Sequence, residues 1–237
     1  MQITMIGHGT VLIEAAGLRI LTDPYFAVRG NIAFARPAPP AKGREELLDV
    51  DLVLISHNHF DHADRRFLCA LPSHVPVLAP RWAAWETRLR GAKAAMGMRA
   101  WQEKRFGAVA VTAVPARHIA VSSGYVIEGE GKRVYFAGDT YYGPFMKEIG
   151  RRFQLDVALM PVTTFRTPMT MGEKGALRAV RDLGPAVIIP IHLGLRPGSP
   201  LLRTGHAVEG FTRRVSEAGL QARVVLLREG ESWAAER

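Results

Sequence analysis

Three imidazoles and one carboxylate lie within six consecutive residues of this chain. The segment His57-Asn58-His59-Phe60-Asp61-His62 directly follows an apolar run at residues 52–55. Neutral imidazole nitrogen and carboxylate oxygen are the ligands that Zn²⁺ and similar divalent ions favour, and catalytic sites keep one position open for water. Packing alone would not select four such side chains in so short a stretch. The segment therefore predicts a metal site.

Three further candidate ligands each stand at the C-terminal end of a predicted strand. They are His118, Asp139 and His192. Side chains at strand ends are held rigidly and can meet at one edge of a sheet, as a preorganised metal site requires. His74 and His206 lie in polar loops without a preceding strand, and we predict that both are ordinary surface residues.

The elements that must position these side chains follow from the spacing of the apolar residues. The pattern predicts a β meander followed by alternating strands and helices. The predicted strands cover residues 3–6, 10–14, 18–22, 52–56, 75–79, 109–116, 124–128, 133–137, 156–160, 186–191 and 223–227, and the predicted helices cover 63–71, 81–91, 172–182 and 207–218. No internal repeat or linker interrupts the pattern, which predicts a single domain over residues 1–237.

Two segments outside this regular pattern are candidates for binding roles. The proline-rich stretch 27–44 predicts a long loop, of the kind that forms a lid or a specificity wall beside a site. In the predicted helix 81–91, Trp82, Trp85 and Leu89 share one face, and we interpret this face as packed on the sheet with a solvated basic face opposite. Contact with a membrane interface or an anionic substrate is the alternative.

Composition limits the classes of protein to which the chain can belong. Its 237 residues, 48% of them hydrophobic, suffice for a full core, and 31 basic against 22 acidic residues give a net charge of +9, which favours anionic partners. No signal peptide and no stretch of about 18 apolar residues is present, so we expect a cytoplasmic protein. The single cysteine, Cys69, cannot form an internal disulfide and is predicted to be buried on a helix face.

The order of the ligand-bearing segments resembles the metallo-β-lactamase superfamily. Its fold is an α/β fold, an αββα sandwich with a dinuclear metal site at one edge. The resemblance extends over almost the whole chain because all of the ligand-bearing segments occur in order. It implies a first metal bound by His57, His59 and His118, a second bound by Asp61, His62 and His192, and a bridging Asp139.

Details of the sequence narrow the resemblance within the superfamily. The chain differs from three groups of the superfamily. The common zinc β-lactamases lack the acid equivalent to Asp139, and flavodiiron oxygen reductases replace the histidine equivalent to His59 and add a flavin domain. Glyoxalase II needs a helical extension after the last ligand. The flanking segments ITMIGHGT (3–10), LTDP (21–24), FAGDT (136–140) and IPIHLG (189–194) look like the branch that contains L-ascorbate-6-phosphate lactonase and N-acylphosphatidylethanolamine-hydrolysing phospholipase D.

This resemblance implies a metal-dependent hydrolase. Two divalent ions would lower the pKa of a shared water toward about 7, and the resulting hydroxide would attack an ester, a lactone, phosphorylated or not, or a phosphodiester. Zn²⁺ is the expected ion, although Mn²⁺ and Fe²⁺ accept the same ligands. Asp61 or Asp139 would move the proton.

Three neighbouring residues are candidates for supporting roles. Tyr142, three residues after Asp139, would donate a hydrogen bond to a developing oxyanion, or would simply pack at the start of the next helix. His8 would contact the substrate or the ligands. Asp23 would orient a ligand imidazole by accepting its second N–H, or would form a turn before Pro24.

Two other functions stay open at this stage. The charge of +9 is compatible with an RNA-processing nuclease of the same superfamily, but the basic residues are dispersed and no RNA-binding module is recognisable. A non-catalytic metal-binding protein is the third hypothesis. We expect a small anionic substrate, with Arg166 or Arg196 as candidate phosphate ligands, and no nucleic acid. Peripheral membrane contact and the oligomeric state stay open.

Overall fold

Two mixed β-sheets pack face to face, and helices cover their outer faces. The computed structural model describes residues 1–31, 33–204 and 207–235 of the chain. Buried side chains form one core between the sheets, a second under α1 and α2, and a third under α3, α4 and α5. This αββα sandwich confirms the predicted fold.

The strands and helices alternate along the chain much as the apolar pattern predicts. Within the described residues the strands are β1 (Gln2–Gly7), β2 (Thr10–Ala15), β3 (Leu18–Thr22), β4 (Phe34–Ala35), β5 (Leu52–Leu54), β6 (Val77–Pro80), β7 (Ala95–Met98), β8 (Glu103–Phe106), β9 (Val109–Pro115), β10 (Ser123–Gly129), β11 (Lys132–Phe136), β12 (Val157–Pro161), β13 (Val187–Ile191), β14 (Arg196–Pro197), β15 (Arg223–Val224) and β16 (Ser232–Ala234). The α-helices are α1 (Arg65–Ala70), α2 (Ala84–Leu89), α3 (Phe145–Phe153), α4 (Glu173–Leu183) and α5 (Val208–Glu217). None of the helices in the described ranges combines the length and the apolar character of a bilayer span.

The loops that follow the parallel strands begin at one edge of each sheet. The first sheet has the order β16-β1-β2-β3-β5-β6-β7 and the second has the order β15-β13-β12-β11-β10-β9-β8. In the first sheet β3, β5, β6 and β7 pair in parallel, and in the second β11, β12, β13 and β15 do so. Parallel strands end at the same edge, so the loops that follow them start close together.

Period-two alternation explains how the strands fill two cores at once. On β10, Tyr125 and Ile127 face the other sheet, whereas Val126 between them packs under the helices. The pattern requires apolar residues on both faces. This is why the central strands read as nearly continuous apolar runs in the sequence.

The prediction for Cys69 is wrong, because this side chain is exposed on α1. The helix instead buries Phe67 and Leu68, and the Cys69 thiol points toward the carbonyl oxygen of Arg90, 3.4 Å away. With six residues, α1 is too short for the periodicity of the sequence to distinguish adjacent positions on the helix.

The interpretation of the tryptophan face is also wrong. Trp82, Trp85 and Leu89 are 69%, 63% and 71% exposed. The observed helix α2 is shorter than predicted and buries Ala84 and Thr87 instead. Small side chains allow the helix backbone to lie close to the sheet, so the large residues of the opposite face are left in solvent.

Candidate metal centre

All seven predicted ligands lie on loops at one end of the sandwich. Four follow β5, and one each follows β9, β11 and β13: the residues are His57, His59, Asp61, His62, His118, Asp139 and His192. The first four therefore come from one sheet and the other three from the second. The structure brings them together at the seam between the two sheets.

The first group consists of His57, His59 and His118. Their ring nitrogens lie within 4.8 Å of one another, and Nδ1 of His59 is 3.4 Å from Nε2 of His118. Burial lowers the pKa of all three imidazoles, to about 4 for His118. Near neutral pH these rings are uncharged, which is the form that binds a metal ion.

The second group contains Asp61, His62 and His192, and His8 joins it. Their ligand atoms also lie within 4.8 Å of one another, and Nε2 of His8 is 3.2 Å from Oδ2 of Asp61. Burial and the nearby His192 lower the pKa of His8 to about 3. Since a carboxylate only accepts hydrogen bonds, the neutral His8 donates its Nε2 proton to Asp61.

Asp139 lies between the two groups. Its Oδ2 is 3.1 Å from Nε2 of His192 and 3.4 Å from Nε2 of His62 in one group. The same oxygen is 3.9 Å from Nε2 of His118 and 4.0 Å from Nε2 of His57 in the other. Two atoms bound tetrahedrally to one ion at about 2.1 Å are separated by roughly 3.4 Å. The distances to His192 and His62 are close to this separation, and those to His118 and His57 are about 0.5 Å longer.

Unpaired buried atoms show that the residues fit divalent cations. Nε2 of His57, His62 and His192 and Oδ1 of Asp139 are buried without a hydrogen-bond partner among the described residues. Burial alone would lower the pKa of His62, but the carboxylates of Asp139, Asp61 and Asp23 raise it well above its usual value. The carboxylates thus favour positive charge at this position, which a divalent cation would supply in place of the proton.

A second layer of contacts orients the ligand imidazoles. Oδ2 of Asp23 lies 2.7 Å from Nδ1 of His62, so the contact predicted for Asp23 is present. Asp23 also accepts hydrogen bonds from the backbone N–H and the hydroxyl of Ser56, and Oγ of Ser56 is 2.9 Å from Nδ1 of His57. One carboxylate thus orients a ligand of each group, His62 directly and His57 through Ser56.

The backbone is strained at several strand ends around the site. His8, Asp23 and His192 have φ values of 59°, 35° and 65°, in the left-handed region that side chains disfavour. Gly138 shares this conformation, and a Cβ there would lie 2.3 Å from Cβ of Ser56. Such strain persists only where the surrounding structure determines the conformation, and it is common at functional sites.

The structure does not bring Tyr142 to the ligands. Its hydroxyl donates a hydrogen bond of 2.6 Å to Oδ2 of Asp182. Two other tyrosines adjoin the site: the ring of Tyr141 is 6.1 Å from that of His118, and the ring of Tyr25 is 5.9 Å from that of His8. Tyr141 and Tyr142 both follow Asp139 closely, so spacing in the sequence does not show which of them lies nearer to the ligands.

Two further histidines, His74 and His206, are predicted to be ordinary surface residues. His74 is exposed in the loop before β6. His206 lies outside the described residues.

The predicted loop 27–44 reaches the site through a short ribbon. It contains β4, which pairs with β14 after His192 so that Phe34 lies opposite Pro197 and Ala35 opposite Arg196. The ring of Phe34 stacks 6.3 Å from the ring of Phe60, inside the metal-binding segment. The loop therefore forms a wall beside the ligands.

Comparison with known proteins agrees with this geometry. Residues 18–193, which include all seven predicted ligands, match the model of the beta-lactamase superfamily domain. The chain is 33% identical to a UPF0173 metal-dependent hydrolase of Methanopyrus kandleri, over 98% of this chain and 99% of that protein, and 31% identical to one of Archaeoglobus fulgidus, over 98% of each. The solved structure of Igni18, a metallo hydrolase from Ignicoccus hospitalis, is 25% identical and covers 99% of each chain, with a TM-score of 0.80.

Proposed function

Because this chain belongs to the beta-lactamase superfamily and is a metal-dependent hydrolase, we propose that it uses two divalent ions to cleave an ester, a lactone or a phosphodiester. This proposal rests on the position of Asp139. Its Oδ2 lies within 4.0 Å of an imidazole nitrogen from two histidines in each group. One oxygen beside both groups supports a pair of ions that share a ligand. The imidazole-rich donor set favours Zn²⁺.

When bound, such ions lower the pKa of water toward about 7 and polarise the oxygen of the scissile group. The protein holds the proton acceptor in place. Burial would raise the pKa of Asp61, but His62 and His8 hold it well below its usual range, so the carboxylate is ionised. In this proposal Asp61 accepts the proton of the attacking water.

His8 is a positioning residue in this proposal. Its Nε2–H holds one oxygen of Asp61, and its backbone carbonyl accepts a hydrogen bond of 3.0 Å from the N–H of His192. A pKa of about 3 leaves His8 neutral near pH 7, so it keeps this donor without adding positive charge. His8 thus fixes the relative positions of two ligands.

The substrate that we propose is a small anionic molecule. Similarity of the flanking segments to the branch of L-ascorbate-6-phosphate lactonase and N-acylphosphatidylethanolamine-hydrolysing phospholipase D supports a lactone or a phosphodiester. Deep burial of the ligands at the seam of the sheets favours a compact scissile group over a long polymer.

Metal analysis combined with a substrate panel tests the proposal. We expect about two Zn²⁺ equivalents per chain and hydrolysis of at least one lactone, ester or phosphodiester. His59→Ala and Asp61→Ala should lower both metal content and turnover, the latter by more than about a hundredfold, because loss of a ligand exceeds the effect of losing a supporting contact. His74→Ala, an exposed histidine, is the matched control. Full turnover in His59→Ala would overturn the assignment, and cleavage of RNA alone would favour the nuclease.

A further inference from the structure

A cavity of about 490 Å³ opens beside His192. Its size is that of a small-molecule site. The residues that line it include the apolar Phe165, Leu195 and Val208 and the cationic Arg196 and Arg203. A ligand in this cavity would therefore meet a histidine of the metal centre, apolar side chains and two cations.

Among the residues that the structure describes, the two arginines have no acidic partner for their charge. Neither Arg196 nor Arg203 forms an ion pair with any residue in the described ranges, whereas Arg214 and Arg151 pair with Glu173 and Glu148. Of the two predicted candidates, Arg196 lines the cavity and Arg166 does not.

One acidic residue also faces the cavity. Glu209 is the single carboxylate among its described lining residues, so two guanidinium groups stand against one negative charge. The excess is positive. Arginine recognises carboxylate and phosphate oxygens through paired N–H donors.

A row of aromatic rings joins the cavity to the metal-binding segment. Phe165 lies 5.3 Å from Phe34, and Phe34 lies 6.3 Å from Phe60, between the centres of the rings. Phe60 stands between His59 and Asp61 in the sequence. An apolar chain lying on these rings would leave water while its two ends reached polar groups.

We infer that the substrate carries an acidic group, separated from the scissile ester or lactone by an apolar segment. The scissile group lies at the metal ligands, the apolar segment contacts the row Phe60, Phe34 and Phe165, and the acidic group pairs with Arg196 and Arg203. This inference rests on the proposed function for the position of the scissile group, but the cavity and its arginines are independent of it.

Two esters with acyl chains of equal length test the inference. The mono-4-nitrophenyl ester of adipic acid ends in a carboxylate, and 4-nitrophenyl hexanoate ends in a methyl group. We expect kcat/KM to be about tenfold higher for the adipate ester, since a charge-assisted hydrogen bond contributes roughly this factor. Arg196→Gln and Arg203→Gln should each remove most of that preference by lowering kcat/KM for the adipate ester. The exposed Arg105→Gln should alter neither.

Binding provides a comparison that does not depend on turnover. Calorimetric titration of the zinc-loaded protein with adipate and hexanoate should show about tenfold tighter binding of adipate, lost in Arg196→Gln. Hydrolysis of both esters with equal kcat/KM, or equal binding of both acids, would overturn the inference and leave the proposed function intact. If the protein hydrolysed neither ester but still bound adipate more tightly than hexanoate, the proposed function would be overturned and the acidic-group site would stand.

Discussion

The carboxylate of Asp23 is fully buried, and its Oδ2 contacts Nδ1 of the predicted metal ligand His62. We predict that Asp23→Asn lowers the affinity for Zn²⁺ about tenfold to a hundredfold, because an amide cannot accept from His62 and Ser56 with the same charge. Competition titration against a chelator measures this change. Asp49→Asn, at an exposed aspartate, is the control. Equal affinities in the Asp23 variant and the wild type would show that the imidazoles are oriented without this carboxylate.

Tyr142 provides the opposite case, in which proximity in the sequence does not lead to proximity in space. Because its hydroxyl is bonded to Asp182, we expect Tyr142→Phe to keep kcat and KM within about twofold of the wild type, as for a substitution remote from the site. Steady-state kinetics on any hydrolysed ester gives the answer. A tenfold loss of kcat would restore the predicted role of this hydroxyl as an oxyanion donor.

The residues of the site that could be predicted share a pattern in the sequence. The other residues that contact the site do not have this pattern. His118, Asp139 and His192 could be selected because each follows an apolar strand and has the chemistry of a ligand. Ser56 and Arg203 are common residue types with no such pattern. Ser56 meets Asp23 across 33 positions of the chain because the strands that precede them, β3 and β5, pair in parallel in the first sheet. Sequence periodicity contains no information on which strands pair.

Among the elements, strands with strong apolar character were the easiest to predict. β3 has its predicted bounds, 18–22, and β9 differs from its prediction by one residue. By contrast β7, with the sequence AMGM, lacks β-branched residues and exists through its pairing with β6. β16 has three residues and pairs with β1 from the far end of the chain. Neither strand has a local signal strong enough to predict it.

The metal-binding segment is attached to helix α2 through Asn58. Its amide donates to the carbonyl oxygen of Ala83 and to Glu86, and its own oxygen accepts from the hydroxyl of Thr87 at 3.0 Å. We predict that Asn58→Ala lowers the free energy of unfolding by about 1–3 kcal/mol, because it leaves buried partners unsatisfied. Urea denaturation measures the loss.

A double-mutant cycle with Thr87→Val separates this attachment from simple loss of packing. If Asn58 and Thr87 act through their shared hydrogen bond, the two losses should not add, and the coupling should exceed about 0.5 kcal/mol. Strictly additive losses would contradict the role of this bond in fixing the segment to the helix.

At the scale of the whole molecule, the predicted ligands lie where two sheets meet, and the sheets are also held together by an apolar core and by hydrogen bonds such as that from the Tyr125 hydroxyl to the carbonyl oxygen of Ile55. Four ligands come from the loop after β5, and three come from the second sheet. The order of motifs in the sequence was enough to identify the superfamily and its sandwich. The single-domain organisation over residues 1–237 stays a prediction, and limited proteolysis of the metal-loaded chain would test it.

Metal removal should therefore weaken the entire fold as well as the site. Ions that bind only the native state add stability by mass action, about 4 kcal/mol when their free concentration is a thousand times Kd. For a chain of this size that corresponds to a fall in Tm of about 10 °C after chelation. Calorimetry of the zinc-loaded and chelator-treated protein measures the shift, and His59→Ala should melt near the chelated wild type in both conditions. If chelation removed the metal and left Tm unchanged, the ions would not bind the native state in preference to the unfolded chain and would not stabilise the contact between the two sheets.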